Sequence, residues 1–375
     1  NATNASVATT AGNVTGVVAV ANGGTGSATQ NFVDLTTNQT VGGTKIFSGT
    51  ITGNGSGLTN INGANITNNT ISASALAADT FPNQQNISRL ALLRWDLLGP
   101  TIAVGNSPDG IAFDGTSIWV SNAGGSNLTK LRVSDGVVQG TFAVAAGPRN
   151  IAFDGTNVWV ANGPANIVTK LRASDGAVQG TFAVGTNPFG VAFDGSNIWV
   201  TNIDSNNVTK LRASDGAVQG TFAVGSQPYG VIFDGSNIWV ANGNSNNVTK
   251  LRASDGALFG TYAVGNDPRS LAFDGANIWV GNLNGGNVSK LRSKDGTLQG
   301  TFPTGTGPAS IVFDGSNIWV VHVSSHNVVK LLAVSGAVQA TFATGSNPVA
   351  IAFDGSSVWV VNQSSSNVTK LPVFP

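Results

Sequence analysis

The sequence predicts an all-β protein built around a seven-bladed β-propeller. Three observations carry that expectation: an octapeptide that returns every 40 residues, four β-prone stretches inside each return, and an early stretch that supplies what the last return lacks. FDGSNIWV occurs at 193–200, 233–240 and 313–320, with near-copies starting at 113, 153, 273 and 353. The step never changes, so no copy carries an insertion. A fixed period in this range is the signature of a repeat architecture.

One copy, 186–225, reads TNPFGVAFDGSNIWVTNIDSNNVTKLRASDGAVQGTFAVG. Its stretches GVAF, NIWV, NVTKL and VQGTFAV are rich in the β-branched and aromatic residues that suit strands. Asp194-Gly195 falls between the first two stretches and Asp215-Gly216 between the last two, and both predict type I′ hairpins. An Asn/Ser loop joins the second strand to the third, and Gly-x-x-Pro leads to the next copy. Four antiparallel strands in 40 residues make one propeller blade. The last copy ends at LPVFP, after its third strand, while LLGPTIAVG at 97–105 lines up with AVQGTFAVG at 217–225. The early strand is therefore expected to complete the last blade and close the ring, which removes exposed sheet edges. The Trp at 119, 159, 199, 239, 279, 319 and 359 then packs between blades, and the FDG aspartates serve the turns.

The pieces P-x-x-[IV]-x-F-D-G, I-W-V-x-N, N-V-T-K-L and S-D-G-x-V-x-x-T-F-x-V-G span 96–375 and resemble the YVTN/NHL-like seven-bladed propellers. The resemblance implies the fold; propellers host many activities, so it implies little about function.

The copies can be compared with one another. Both Asp-Gly turns lie on one face of the ring and barely vary. The opposite face varies, and the residue after each Pro reads Asp109, Arg149, Phe189, Tyr229, Arg269, Ala309 and Val349. These should ring one mouth of the central channel. Variation in exposed loops is ordinary, yet Asp109, Arg149, Phe189, Tyr229 and Arg269 are the candidate ligand contacts. Aromatics beside cationic donors suit a sugar ring or an acidic group.

His322 and His326, the only histidines, flank a loop in VHVSSHNVV and are expected on the surface without a third metal ligand. Asn127, Asn207, Asn247, Asn287 and Asn367 begin N-x-S/T sequons at one repeat position. They are possible glycosylation sites, and repetition in an Asn/Thr-rich chain also accounts for them.

Net charge is zero and 10% of residues are charged, which leaves no electrostatic footprint for nucleic acid. No apolar run reaches the roughly 20 residues of a membrane span. There is no Glu, Cys or Met. The chain thus lacks a thiol nucleophile and a disulfide framework, and an extracellular location with a processed N-terminus is expected. Blade length and the Trp-bearing strand are also broadly similar to virginiamycin-lyase-type propellers. That resemblance implies a His/Glu set with magnesium, which a chain without Glu cannot supply. No enzyme activity, cofactor or metal is expected.

Residues 1–95 differ. Their only charges are Asp34, Lys45, Asp79, Arg89 and Arg94, and large apolar residues are too few for an independent core. VANGGTGSATQNF, LTTNQTVGGTKIFSGTI and GNGSGLTNINGANIT resemble shaft segments of phage tail fibres and bacterial surface fibres. The resemblance implies a β-rich region that folds by assembling with copies of itself. The combined expectation is a structural subunit of an extracellular or virion-surface fibre. In it, 1–95 would multimerise and the propeller, 96–375, would act as an adhesive head, with surface glycans the leading partner. A soluble ligand- or glycan-binding propeller with a flexible leader is the alternative.

Overall fold

The computed structural model describes residues 101–373. The proposed assembly region and the boundary at 95/96 lie outside them. Among the described residues there are seven four-stranded antiparallel sheets, each one blade of a propeller. In the third blade the strands are Pro188–Phe193, Asn197–Asn202, Asn207–Arg212 and Val218–Ala223, in that order from the channel outward. The other blades repeat this pattern at the expected spacing.

Closure follows the sequence. Thr101–Ala103 forms the outer strand of the last blade, with Thr101 opposite Thr369 and Ala103 opposite Asn367. The two ends of the described chain thus share one sheet, and the last blade lacks no strand. Among the described residues, no helix is long and apolar enough to cross a membrane.

The core sits between blades. Trp159 packs with Ile198, Val200 and Leu211 of the following blade. At the seam, Trp359 of the last blade packs with Ile118, Val120 and Leu131 of the first. All seven repeat tryptophans are almost wholly buried. Each removes roughly 200 Å² from water, worth about 5 kcal/mol of transfer free energy before entropy is charged.

Neither Asp-Gly turn forms as type I′: the second closes a four-residue loop, Arg132 N donating to Val137 O at 2.9 Å with positive φ only at Gly136, and the first is tighter. Asp114 N donates to Ser117 O at 3.0 Å, which leaves a two-residue loop of Gly115 and Thr116. Only the glycine has positive φ, +91° at Gly115 and +96° at Gly195. Type I′ needs positive φ at both loop residues, so this is a different two-residue loop, with Gly first and Asp outside it. The aspartate is free for other work. Asp114 Oδ1 accepts from Ser117 N at 2.6 Å and Thr116 N at 2.8 Å, while Oδ2 accepts from the Trp119 indole at 2.7 Å. Burial opposes its charge, but the indole and turn amides outweigh burial and hold Asp114 below the ordinary carboxylate range. The same indole–carboxylate bond recurs in all seven blades.

A second inter-blade device uses the lysine of N-V-T-K-L. Lys210 Nζ donates to Ala253 O at 2.7 Å and Ser254 O at 3.0 Å in the next blade. It also stands 5.1 Å over the Trp199 ring. Lys370 makes the bond across the seam, to Val133 O at 2.6 Å. Lysine here is an inter-blade strut whose ammonium finds carbonyl acceptors and an aromatic face.

Candidate functional site: the first-strand mouth

The mouth is shaped by a bulge that follows each Pro. Register slips between Pro188 and Val191, and at the equivalent place in every inner strand. The residue before each Pro has a left-handed backbone: φ is +55° at Asn187 and +57° at Asp267. Bulges re-aim side chains, and each variable residue falls within one, between the Pro and the resumed pairing.

Five of those residues form one chain of contacts across five blades. Arg149 Nη1 lies 3.4 Å from Asp109 Oδ2. The Arg149 guanidinium stands 5.9 Å from the Phe189 ring. Phe189 meets Tyr229 edge to face at 5.3 Å. The Arg269 guanidinium lies 3.7 Å over the Tyr229 ring. Its Nε and Nη2 then reach Asp267 at 2.6 and 2.9 Å. Ala309 and Val349, on the remaining two blades, interrupt the belt with small apolar side chains.

Behind the belt lies a cavity of about 440 Å³. Asp109, Phe189 and Arg269 line it, as do Ala309 and Val349; Arg149 and Tyr229 do not. Those two turn outward, with Arg149 Nε beside Gly163 and the Tyr229 ring beside Gly243. Deeper walls are apolar, with Ile151, Val191, Val231, Leu271, Ile311 and Ile351. Asn150, Ser270 and Ser310 add polar groups, and the Ser270 hydroxyl is buried without a partner.

Three positioning features were missed at the sequence level. Asp267 holds Arg269, assisted by Asn284 Nδ2 at 3.0 Å. The Ser121 hydroxyl donates to Arg149 O at 2.6 Å and accepts from Gly110 N at 2.7 Å. Thr201 does the same for Tyr229 O at 2.7 Å and Gly190 N at 2.7 Å. The signal was present. The x of I-W-V-x-N carries a hydroxyl only at Ser121 and Thr201, each one blade before a belt residue that it fixes. At Gly230 a Cβ would come within 2.8 Å of Arg269 O, so glycine permits that close approach.

Asp109 is the less compensated of the two buried carboxylates at the mouth. Its side chain is 10% exposed. Its protein partners are Arg149 at 3.4 Å and Gln363 Nε2 at 3.3 Å, both long. Burial pushes its pKa above the ordinary value, and the Arg149 charge offsets this only in part.

The histidines correct one expectation. His322 is not on a surface loop. It ends the strand Asn317–His322, is fully buried, and takes the place filled by Asn in the other six blades. Its Nε2 lies 3.0 Å from Thr304 Oγ1, and burial lowers its pKa to about 4. His326 is exposed, and its Nδ1 accepts from Asn347 N at 3.0 Å. Asn206 Oδ1 plays that part for Gln227 N at 2.9 Å. Both histidines therefore stand in for structural asparagines. Among the described residues no three His, Cys, Asp or Glu side chains gather as a metal site.

The sequon asparagines Asn127, Asn207, Asn247, Asn287 and Asn367 each begin a third strand, half-buried. Their Oδ1 atoms accept from the preceding strand's buried Asn, as from Asn202 Nδ2 to Asn207 at 2.7 Å.

No protein-family profile and no curated protein sequence matches this chain. Solved structures do match. A streptogramin B lyase structure aligns over 72% of this chain and 96% of its own, at 19% identity and TM-score 0.63. Virginiamycin B lyase from Staphylococcus aureus aligns over 73% and 99%, at 16% identity and TM-score 0.64. Kuenenia stuttgartiensis hydrazine synthase aligns over 73% and 98%, at 18% identity and TM-score 0.64. At these identities the likeness establishes the shared propeller fold and no shared activity. It overturns the expectation of a fibre subunit with an adhesive head. The three propellers named above, each matched over nearly its whole length, are lyase and hydrazine synthase chains, and none is a fibre protein. The physical reason is that the fibre reading rested on the resemblance of segments within 1–95 to fibre shafts, and these lie outside the described residues. The described propeller closes on itself, as expected, and carries a concave cavity at one mouth.

Proposed function

We propose that the propeller binds a small organic ligand in the cavity behind its first-strand mouth. One observation carries this reading: seven near-identical blades diverge at the mouth, where five of the divergent side chains touch in sequence and three of those five line the cavity. The volume of about 440 Å³ falls within the range of small-molecule sites, as does the mix of apolar walls with a few convergent polar groups. The titratable side chains lining the cavity are Asp109 and Arg269. Together with the apolar walls they offer a bound molecule a charged end and an apolar end.

The test is titration of the full chain with the neutral solvatochromic dye Nile red, beside Ala309→Trp. The indole would fill the gap in the belt without touching the blade cores. Wild type should show saturable binding of one dye per chain, and the variant should lose it. Equal binding by both proteins would place the dye elsewhere and defeat the proposal.

A further inference from the structure

We infer that the ligand is an organic ammonium compound, its protonated amine seated on Asp109 and its apolar body in the cavity beside Phe189. This rests on the cavity being a ligand site, and it fixes the sign of the ligand's charge.

Two buried carboxylates stand near the mouth. Asp267 is fully served: Arg269 reaches it at 2.6 and 2.9 Å, and Asn284 at 3.0 Å. Asp109 is equally buried but has only the two long contacts, 3.4 Å from Arg149 and 3.3 Å from Gln363. A buried charge is stable only when closely paired. Asp109 therefore has acceptor capacity left over, and it lies on the cavity wall.

The cations are placed the other way. Arg269 lines the cavity, but Asp267 holds two of its donor atoms and its face lies on Tyr229. Arg149 has an unpartnered Nε, yet that atom sits beside Gly163, away from the cavity lining. The cavity thus offers an underused anion and a committed cation. An ammonium can donate to Asp109 at the short distance Arg149 does not reach, as a charge-assisted bond. The body of the ligand meets Phe189, Val191, Ile151 and Ile351, and the small Ala309 and Val349 leave the way in. This reverses the sequence-level expectation of a sugar or an acidic group. That expectation counted the arginines without their partners.

The experiment is calorimetric titration of the full chain, near neutral pH, with phenethylamine, phenethyl alcohol and hydrocinnamate. The three share a phenyl body and differ in charge. Phenethylamine should bind at least about tenfold more tightly than the alcohol, with hydrocinnamate weakest. Asp109→Asn should bring the amine to within about threefold of the alcohol and leave the alcohol's affinity unchanged. Ala309→Trp should abolish all three. Hydrocinnamate binding as well as or better than the amine would overturn the inference while leaving the cavity as a ligand site. So would equal binding of amine and alcohol to wild type, which holds even if Asp109→Asn fails to fold. No binding of any of the three, together with failure of the Nile red test, would sink both readings.

Discussion

His322 makes the stability of the protein depend on pH in a way that one substitution isolates. The imidazole is fully buried, and its pKa falls from the ordinary 6.5 to about 4. Burial disfavours the charged ring, so the folded state binds fewer protons than the unfolded state between those values. The neutral ring's contribution is complete above the unfolded value of 6.5 and is lost as pH falls toward 4. The full shift corresponds to about 3 kcal/mol, of which about 2.5 kcal/mol is already lost at about pH 4.5. In His322→Asn, the asparagine of the other six blades returns. Its amide can serve Asn327 Oδ1, which is buried without a partner, as Asn282 serves Asn287 at 2.8 Å. Urea unfolding, followed by tryptophan fluorescence at about pH 7.5 and about pH 4.5, gives the stability of each protein. Aspartate titration is common to both and cancels in the difference. Wild type should lose about 2–3 kcal/mol more than the variant over this interval. A difference that stays constant with pH would show that the ring is not held neutral, and the argument from burial would fail.

Two further expectations concern the repeated devices. Asp194→Ala removes the acceptor for Trp199 at 2.7 Å and for the Asn197 amide at 2.6 Å. Leaving those donors unserved should cost about 2–3 kcal/mol, read as a lower urea midpoint with unchanged slope. Lys370→Met removes the bond to Val133 O at 2.6 Å, the lysine strut across the seam, and should cost about 1–3 kcal/mol. A calorimetric midpoint equal to wild type would mean the strut contributes nothing to closure.

How far the sequence could be read depends on what each residue answers to. Blade count, strand order and the closing strand were legible because backbone pairing is periodic. Seven copies repeat the same apolar pattern, and the stretch at 97–105 matches the strand missing at the end. The type I′ expectation fails because it treats Asp-Gly as an isolated pair. The aspartate is needed outside the loop, where its two oxygens serve the turn amides and the indole. His322 was misread for a similar reason. Two histidines near a loop suggest exposure, while its repeat position, always Asn elsewhere, pointed to a buried structural role. The mouth residues were found because they break the repeat. Their pairing was hidden because it is set by neighbours on other strands, such as Asp267 for Arg269 and Ser121 for the Arg149 carbonyl.

The same symmetry explains why a site can exist here without weakening the fold. Each blade carries its own Trp–Asp bond. Six lysines are bonded to the next blade's carbonyls. These bonds lie toward the Asp-Gly face. The mouth is at the opposite end of the inner strands, beyond the bulges. Substitutions after the Pro therefore change what the cavity presents and leave the struts alone. Ala309 and Val349 open the belt on two blades whose tryptophans remain fully buried. A ring of identical blades would present seven equal side chains to the channel and could favour no orientation of an asymmetric ligand. Placing Asp109 on one blade, Phe189 on another and a gap at Ala309 gives the cavity a polar side, an apolar side and an entrance. That arrangement can orient a molecule with one charged end.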